Sequence, residues 1–175
     1  MTTLYARYSS PLGELLLVGE RTASGPMHLC GVHLPGERHG PSIEPSWVED
    51  GPAFATVSAA LDAYFRGERT AFDLRLEPRG TPFQLRVWAE LERIPFGETV
   101  TYGEIASRIG QPGAARAVGA AAGRNPLSIV VPCHRVVGAG GALTGYAGGL
   151  DRKARLLDHE RGVIAGRTSV RPGPG

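Results

Sequence analysis

Cysteine is scarce in this 175-residue chain, where Cys30 and Cys133 are the only two. One distant pair cannot form a disulfide framework, and both are expected as reduced thiols in a cytoplasmic protein. The scarcity also weighs against structural zinc, which takes four Cys or His ligands at short spacings. His28, Cys30, His33 and His39 cluster loosely. No second cysteine is near them, so a strand or loop with scattered histidines is expected there, and no metal. Long apolar runs are missing too. Nothing approaches the roughly 20 apolar residues that span a bilayer. The opening MTTLYARY has no apolar core of the kind a signal peptide carries. Neither membrane insertion nor secretion is expected, and there are no internal repeats. Hydrophobic content of 42% and charged content of 21% suit a soluble globular chain with a buried core, in one domain or two small ones.

Charge is unevenly spread. The net charge is +2, yet residues 1–80 carry seven arginines against ten acidic residues, and residues 81–175 carry twelve basic against seven acidic. A basic second half hints at a polyanionic partner, although a solvated basic face gives the same count.

The first half reads as β. Residues 3–9 and 15–19 are short strand-like runs split by the turn signal SPLG, and residues 27–34 suit a third strand. Residues 35–52 are rich in Pro, Gly, Ser and Glu and read as loop. Residues 53–66 place Phe54, Val57, Leu61 and Phe65 near helical spacing, and Gly67 stops the helix. Residues 72–76 alternate as a last strand would, and residues 77–82 read as a linker.

The second half reads as helical. Residues 83–93 put Phe83, Val87, Trp88 and Leu91 on one face, with Thr81 as cap and Pro82 at the first position. Thr101 and Glu104 have capping-box spacing ahead of a helix to Gly110. A tight turn at 110–113 leads to a second helix, 114–124. Two short helices about a Gly-containing turn suit a DNA-binding helix-turn-helix, and equally an ordinary helical hairpin. The second helix is thin, with Ala114, Ala115, Ala117, Gly119 and Ala120 to Ala122, and Arg116 and Arg124 lie near one face. Such a helix can pack closely on a neighbour or enter a DNA groove with an arginine projecting. Residues 128–131 form a β-branched run, and Pro132 holds Val131 extended. Residues 138–149 are a glycine-rich loop. Asp151 caps a last helix to Arg161, with Leu150, Ala154 and Leu157 on one face.

The chemistry centres on IVVPCHRVVG, residues 129–138. A free thiol is mostly protonated at neutral pH and needs a base or cation to become a nucleophile. His134 adjoins Cys133, and Glu160 is a candidate to orient the imidazole. Sequence neighbours often point apart, so an inert buried cysteine stands beside the nucleophile reading. Three functions remain open on the residues: a reagent acting on DNA, a DNA-binding or damage-sensing module with an unreactive thiol, and a Cys-His acyl hydrolase.

A resemblance narrows them. TVTYGE at 99–104, AARAVG at 114–119, Asn125-Pro126, IVVPCHRVV at 129–137, LTGYAGGL at 143–150, then Lys153, Leu156, Leu157, His159 and Glu160 stand in the order and spacing of the O6-alkylguanine-DNA alkyltransferases. The match covers about 82–162, and the first half resembles that family's N-terminal domain in general outline. The resemblance implies a two-domain α+β fold. A ribonuclease-H-like N-terminal domain, 1–78, has a small antiparallel sheet with a helix. A mostly helical, winged-helix-like domain with a helix-turn-helix follows over 82–165. Residues 166–175, ending in RPGPG, read by composition as a disordered tail. The partner implied is double-stranded DNA containing O6-alkylguanine, bound by a monomer, with cooperativity on DNA open. The resemblance makes Cys133 the alkyl acceptor. His134, through a water, and Glu160 form its relay, and Asn125 supports the turn around the site. Tyr102 meets a phosphate and gives guanine a proton. Arg116 is the finger that replaces the flipped base, and Ala114, Ala115, Arg124 and Arg135 join it on DNA. Val131, Pro132, Gly145, Tyr146 and Ala147 line the base pocket, and carbonyls near Val131 and Cys133 accept from the guanine amino group. No cofactor is implied. Ala147 and Ser128 depart from some members and bear on pocket width. Some members bind zinc in the N-terminal domain through two Cys and two His. Cys30 is the only cysteine in that part of this chain.

Overall fold

The computed structural model describes residues 1–168. The chain begins with β1 (Thr2–Ser10) and β2 (Gly13–Arg21), an antiparallel hairpin in register from Thr2 opposite Arg21 to Ser10 opposite Gly13. Gly13 has φ +111°, a conformation that admits glycine readily and closes the turn. β3 (Met27–His33) pairs antiparallel with β2, and the short β4 (Val48–Glu49) pairs parallel with β1, giving the order β3-β2-β1-β4. Alternation along β1 turns Leu4, Ala6 and Tyr8 inward, beside Leu15 and Leu17 of β2. α1 (Ala55–Phe65) covers that face with Val57, Ala60, Leu61 and Tyr64. Tyr64 is fully buried, whereas Phe65, at the expected helical spacing, is half-buried.

The expected strand at 72–76 does not form. Leu76 makes a single parallel bridge to Leu29, and the segment crosses to α2 (Pro82–Leu91). The α2 cap is a full capping box, since Thr81 and Gln84 exchange side-chain and backbone bonds. The second box, Thr101 with Glu104, also forms, between β5 (Val100–Thr101) and α3 (Tyr102–Arg108). Each such cap contributes about 1 kcal/mol. α4 (Ala115–Gly123) packs on α2 and α3, with Gly110 at φ +78° turning the chain between α3 and α4. Trp88 of α2 donates its indole N–H to the Ala121 carbonyl at 2.8 Å, a bond that the small residues of α4 leave room for. β6 (Val136–Val137) pairs parallel with β5.

The last helix, α5 (Leu150–Thr168), starts two residues earlier than a cap at Asp151 implies and runs longer than expected. Its buried side chains are Lys153, Leu156, Leu157 and Glu160, while Leu150 is exposed. Residues 166–168 of the expected tail are helical, and the rest of that tail lies outside the described residues. The fold is thus two-part α+β, a small sheet with a helix followed by a mainly helical part, with Cys133 where the two meet.

Candidate active site

The segment that delivers Cys133 is turned rather than extended. Residues 128–130 form tight turns, and Ile129 takes φ +73°, an outlier for a β-branched residue. The run that reads as strand is overridden by its anchors. Asn125 Nδ2 donates to the Val131 carbonyl at 2.8 Å, and its Oδ1 accepts from Leu127 N–H at 3.0 Å. From the other side β3 grips the backbone. Val32 N–H donates to Pro126 O at 2.9 Å, and Ser128 N–H donates to Val32 O at 3.1 Å. The turn therefore depends on both halves of the chain. Cys133 then opens a single 3-10 turn, Cys133–Arg135.

His134 and Glu160, both without exposed side-chain surface, meet at 2.7 Å through Nε2 and Oε2. Three further groups donate to that carboxylate. Tyr64 O–H reaches it at 2.6 Å, Arg135 makes bonds of 2.7 and 3.0 Å, and Gly97 N–H lies at 3.2 Å. Burial by itself would raise the Glu160 pKa. The hydrogen bonds from His134 and Arg135, with the Arg135 charge, outweigh it and hold the carboxyl well below the usual range. Burial pushes His134 down, against the pull of Glu160. The imidazole is therefore neutral at neutral pH, and its hydrogen bond together with the Arg135 guanidinium keeps Glu160 ionised. A carboxylate only accepts, so His134 carries its proton on Nε2 and its free lone pair on Nδ1. Nδ1 is buried without a hydrogen-bond partner among the described residues.

Burial pushes the Cys133 thiol up to about 11. The Asn125 amide and the Lys153 ammonium oppose that rise, and the Glu37 charge adds to it. Lys153 is the only lysine in the chain. It is fully buried and donates to the carbonyls of Val136 (2.6 Å), Thr144 (2.9 Å) and Gly145 (3.2 Å). It thereby ties the loop before α5 to β6, and burial lowers its pKa to about 8.

Cys133 opens on a cavity of about 840 Å³. Tyr102, Gly145, Tyr146, Ala147 and Arg124 share its wall. The Tyr102 hydroxyl donates to Thr144 O at 3.0 Å, and its ring packs against the Gly119 backbone of α4. Arg116 on α4 and Arg124 just after its end are exposed, while Ala114 and Ala115 at its start are half-buried. The N-terminal part closes the far side. Arg152 donates to Leu12 O, Pro35 O and Gly148 O at 2.9–3.0 Å, and a side chain on Gly148 would collide with Leu34.

Several expected roles need correction. Arg135 is not on a DNA surface. It is 5% exposed, its guanidinium is spent on Glu160 and Ile94 O, and it lies over the Phe96 ring. Val131 is fully buried and outside the cavity wall, and its carbonyl already accepts from Asn125 and from Cys133 N–H. The Cys133 carbonyl accepts from Val136 N–H, and Pro132 faces a separate cavity of about 350 Å³. Two of the three N-terminal histidines sit beside carboxylates. His28 pairs with Glu77, and His33 with Glu37. Sequence reasoning missed Tyr64 and the role of Lys153. A lone lysine in the matching motif was the available signal for the second; Tyr64 gave none.

Comparison with known proteins agrees with this geometry. Residues 82–162 match the DNA binding domain of 6-O-methylguanine DNA methyltransferase, and residues 3–78 match the ribonuclease-like domain of the same family. A methylated-DNA–protein-cysteine methyltransferase of Mycolicibacterium paratuberculosis is 52% identical over 90% of this chain and 92% of its own. One from Methanosarcina acetivorans is 50% identical over 89% and 97%. The crystal structure of Mycobacterium tuberculosis OGT in complex with DNA superposes with a TM-score of 0.82 at 48% identity, covering 91% of this chain and 94% of that one. With both halves matched and relatives at about half identity across nearly the whole length, the chain belongs to the 6-O-methylguanine DNA methyltransferase family.

Proposed function

We propose that this chain repairs O6-alkylguanine in double-stranded DNA by moving the alkyl group onto its own Cys133, once per molecule. The observation that carries this is a thiol at the cavity wall followed directly in the chain by a buried imidazole whose Nε2 is fixed by Glu160 and whose Nδ1 has no hydrogen-bond partner among the described residues. The alkylated base leaves the stack and enters the cavity, because its O6 cannot be reached inside the duplex. His134 Nδ1 takes the thiol proton through one water. The sulfur bonds to the alkyl carbon as the carbon–O6 bond breaks, the electron pair leaves on guanine, and the Tyr102 phenol supplies a proton to the departing base. A thioether does not reverse, so no turnover follows.

Displacement at an sp³ carbon needs a soft nucleophile, alignment and a proton for the leaving group, and no oxyanion hole. That requirement favours alkyl transfer over acyl hydrolysis. Exposed Arg116 on the thin α4 and Arg124 just after its end suit the DNA-facing roles, Arg116 as the finger that fills the gap left by the base. Contacts to phosphate then position the protein without selecting sequence.

The test is Cys133→Ala. It keeps its affinity for a duplex with one O6-methylguanine and transfers no methyl group. A Cys133→Ala chain that still clears the lesion contradicts the proposal.

A further inference from the structure

Glu37 belongs to the loop after β3, in the N-terminal half, yet its carboxylate points into the C-terminal half. Its side chain is only 4% exposed. Oε1 accepts from the Ser128 hydroxyl at 2.6 Å and from Leu34 N–H at 3.0 Å, and Oε2 meets His33 Nδ1 at 3.0 Å. A buried carboxylate held by three partners is a rigid strut. Its far end, Ser128, is 2% exposed and starts the strained turn that leads to Cys133.

Tyr146 lies beside Ser128. Its hydroxyl is buried, and it makes no hydrogen bond of ordinary geometry among the described residues. Its ring is part of the wall of the Cys133 cavity. The line His33–Glu37–Ser128–Tyr146 thus runs from the N-terminal sheet to the pocket, and none of its first three members touches the cavity.

On the functional reading above, we propose that Glu37 is a positioning residue that sets the size of alkyl group accepted, by bracing Ser128 behind the Tyr146 wall and the Cys133 turn. With the strut in place the ring cannot retreat, and the sulfur stays aligned on a small group. Without it, space opens behind Tyr146, the pocket widens, and methyl transfer loses alignment while a bulky group gains room. Near-attack alignment is steep in distance, so small shifts carry large rate effects.

The experiment compares transfer from free O6-methylguanine and free O6-benzylguanine to wild type, Glu37→Ala, Glu37→Gln and Ser128→Ala. Each rate is normalised to the amount of Cys133 that can be alkylated, so a loss of folded protein cancels. The expected result is a benzyl-to-methyl rate ratio raised about fivefold or more in Glu37→Ala and in Ser128→Ala. Glu37→Gln, which keeps an oxygen for Ser128, stays within about twofold of wild type. Ser128→Ala cuts the same link with a smaller change, so it decides the matter if Glu37→Ala folds poorly. An unchanged ratio on a reactive wild type overturns this inference alone. A wild type that accepts neither free base nor a methyl group from a duplex carrying O6-methylguanine overturns the inference together with the functional reading.

Discussion

His134 donates its Nε2 proton to Glu160 at 2.7 Å, and neither side chain has any exposed surface. This one bond fixes which imidazole nitrogen is free to act as a base. It also makes Glu160 the shared acceptor of Tyr64, His134 and Arg135, drawn from separate parts of the chain.

Glu160 therefore has a stability signature of its own, whatever it does for the thiol. Its folded pKa lies below the unfolded value of about 4.3. Its contribution is fully present above that pH and is lost as pH falls through the range between the two. Glu160→Ala, which leaves a buried arginine uncompensated, costs about 3–5 kcal/mol at neutral pH. Glu160→Gln is less stable than wild type at neutral pH, and its stability falls less steeply below about pH 4.3. Chemical denaturation across pH 3–7 checks both. Parallel acid limbs in wild type and Glu160→Gln contradict the assignment.

Two arginines separate DNA binding from architecture. Arg116→Ala, at an exposed position on α4, slows repair of duplex by about tenfold or more and spares reaction with the free base. Arg135→Ala strands Glu160 in the interior, loses about 3–5 kcal/mol of stability and slows both reactions alike. Paired rate and melting measurements distinguish them. Equal losses on duplex and free base for Arg116→Ala remove its role as a finger.

Lys153 joins β6 to the loop that carries Tyr146. Lys153→Met keeps the stem and removes the donor from three carbonyls, at about 1–3 kcal/mol. The transfer rate falls because the loop loosens, while affinity for duplex holds, since Arg116 and Arg124 are untouched. A variant with wild-type rate and stability contradicts this role.

Much of the fold was legible because its signals are local. The Thr81 cap, the Thr101–Glu104 capping box, the first hairpin and the thin helix follow from residues within a few positions of each other. The readings that changed depended on distant partners. The β-branched run at 128–131 is turned because Asn125 and Val32 capture its backbone, which outweighs its extended preference. Arg135 reads as one more basic residue until Glu160, 25 positions away, buries it. Tyr64 reaches the same carboxylate across 96 positions, which no spacing rule anticipates. Cys133, His134 and Glu160 were conspicuous in the sequence; the Tyr64 and Arg135 partners that bury and hold Glu160 were not.

The most direct measurement of the central claim is the intact mass of the chain after incubation with a duplex carrying one O6-methylguanine, followed by peptide mapping. The account predicts a gain of one methyl group per chain, located on Cys133, saturating at one equivalent however much duplex is supplied. A chain that binds the damaged duplex and gains nothing, or one that carries the methyl group elsewhere, would contradict it.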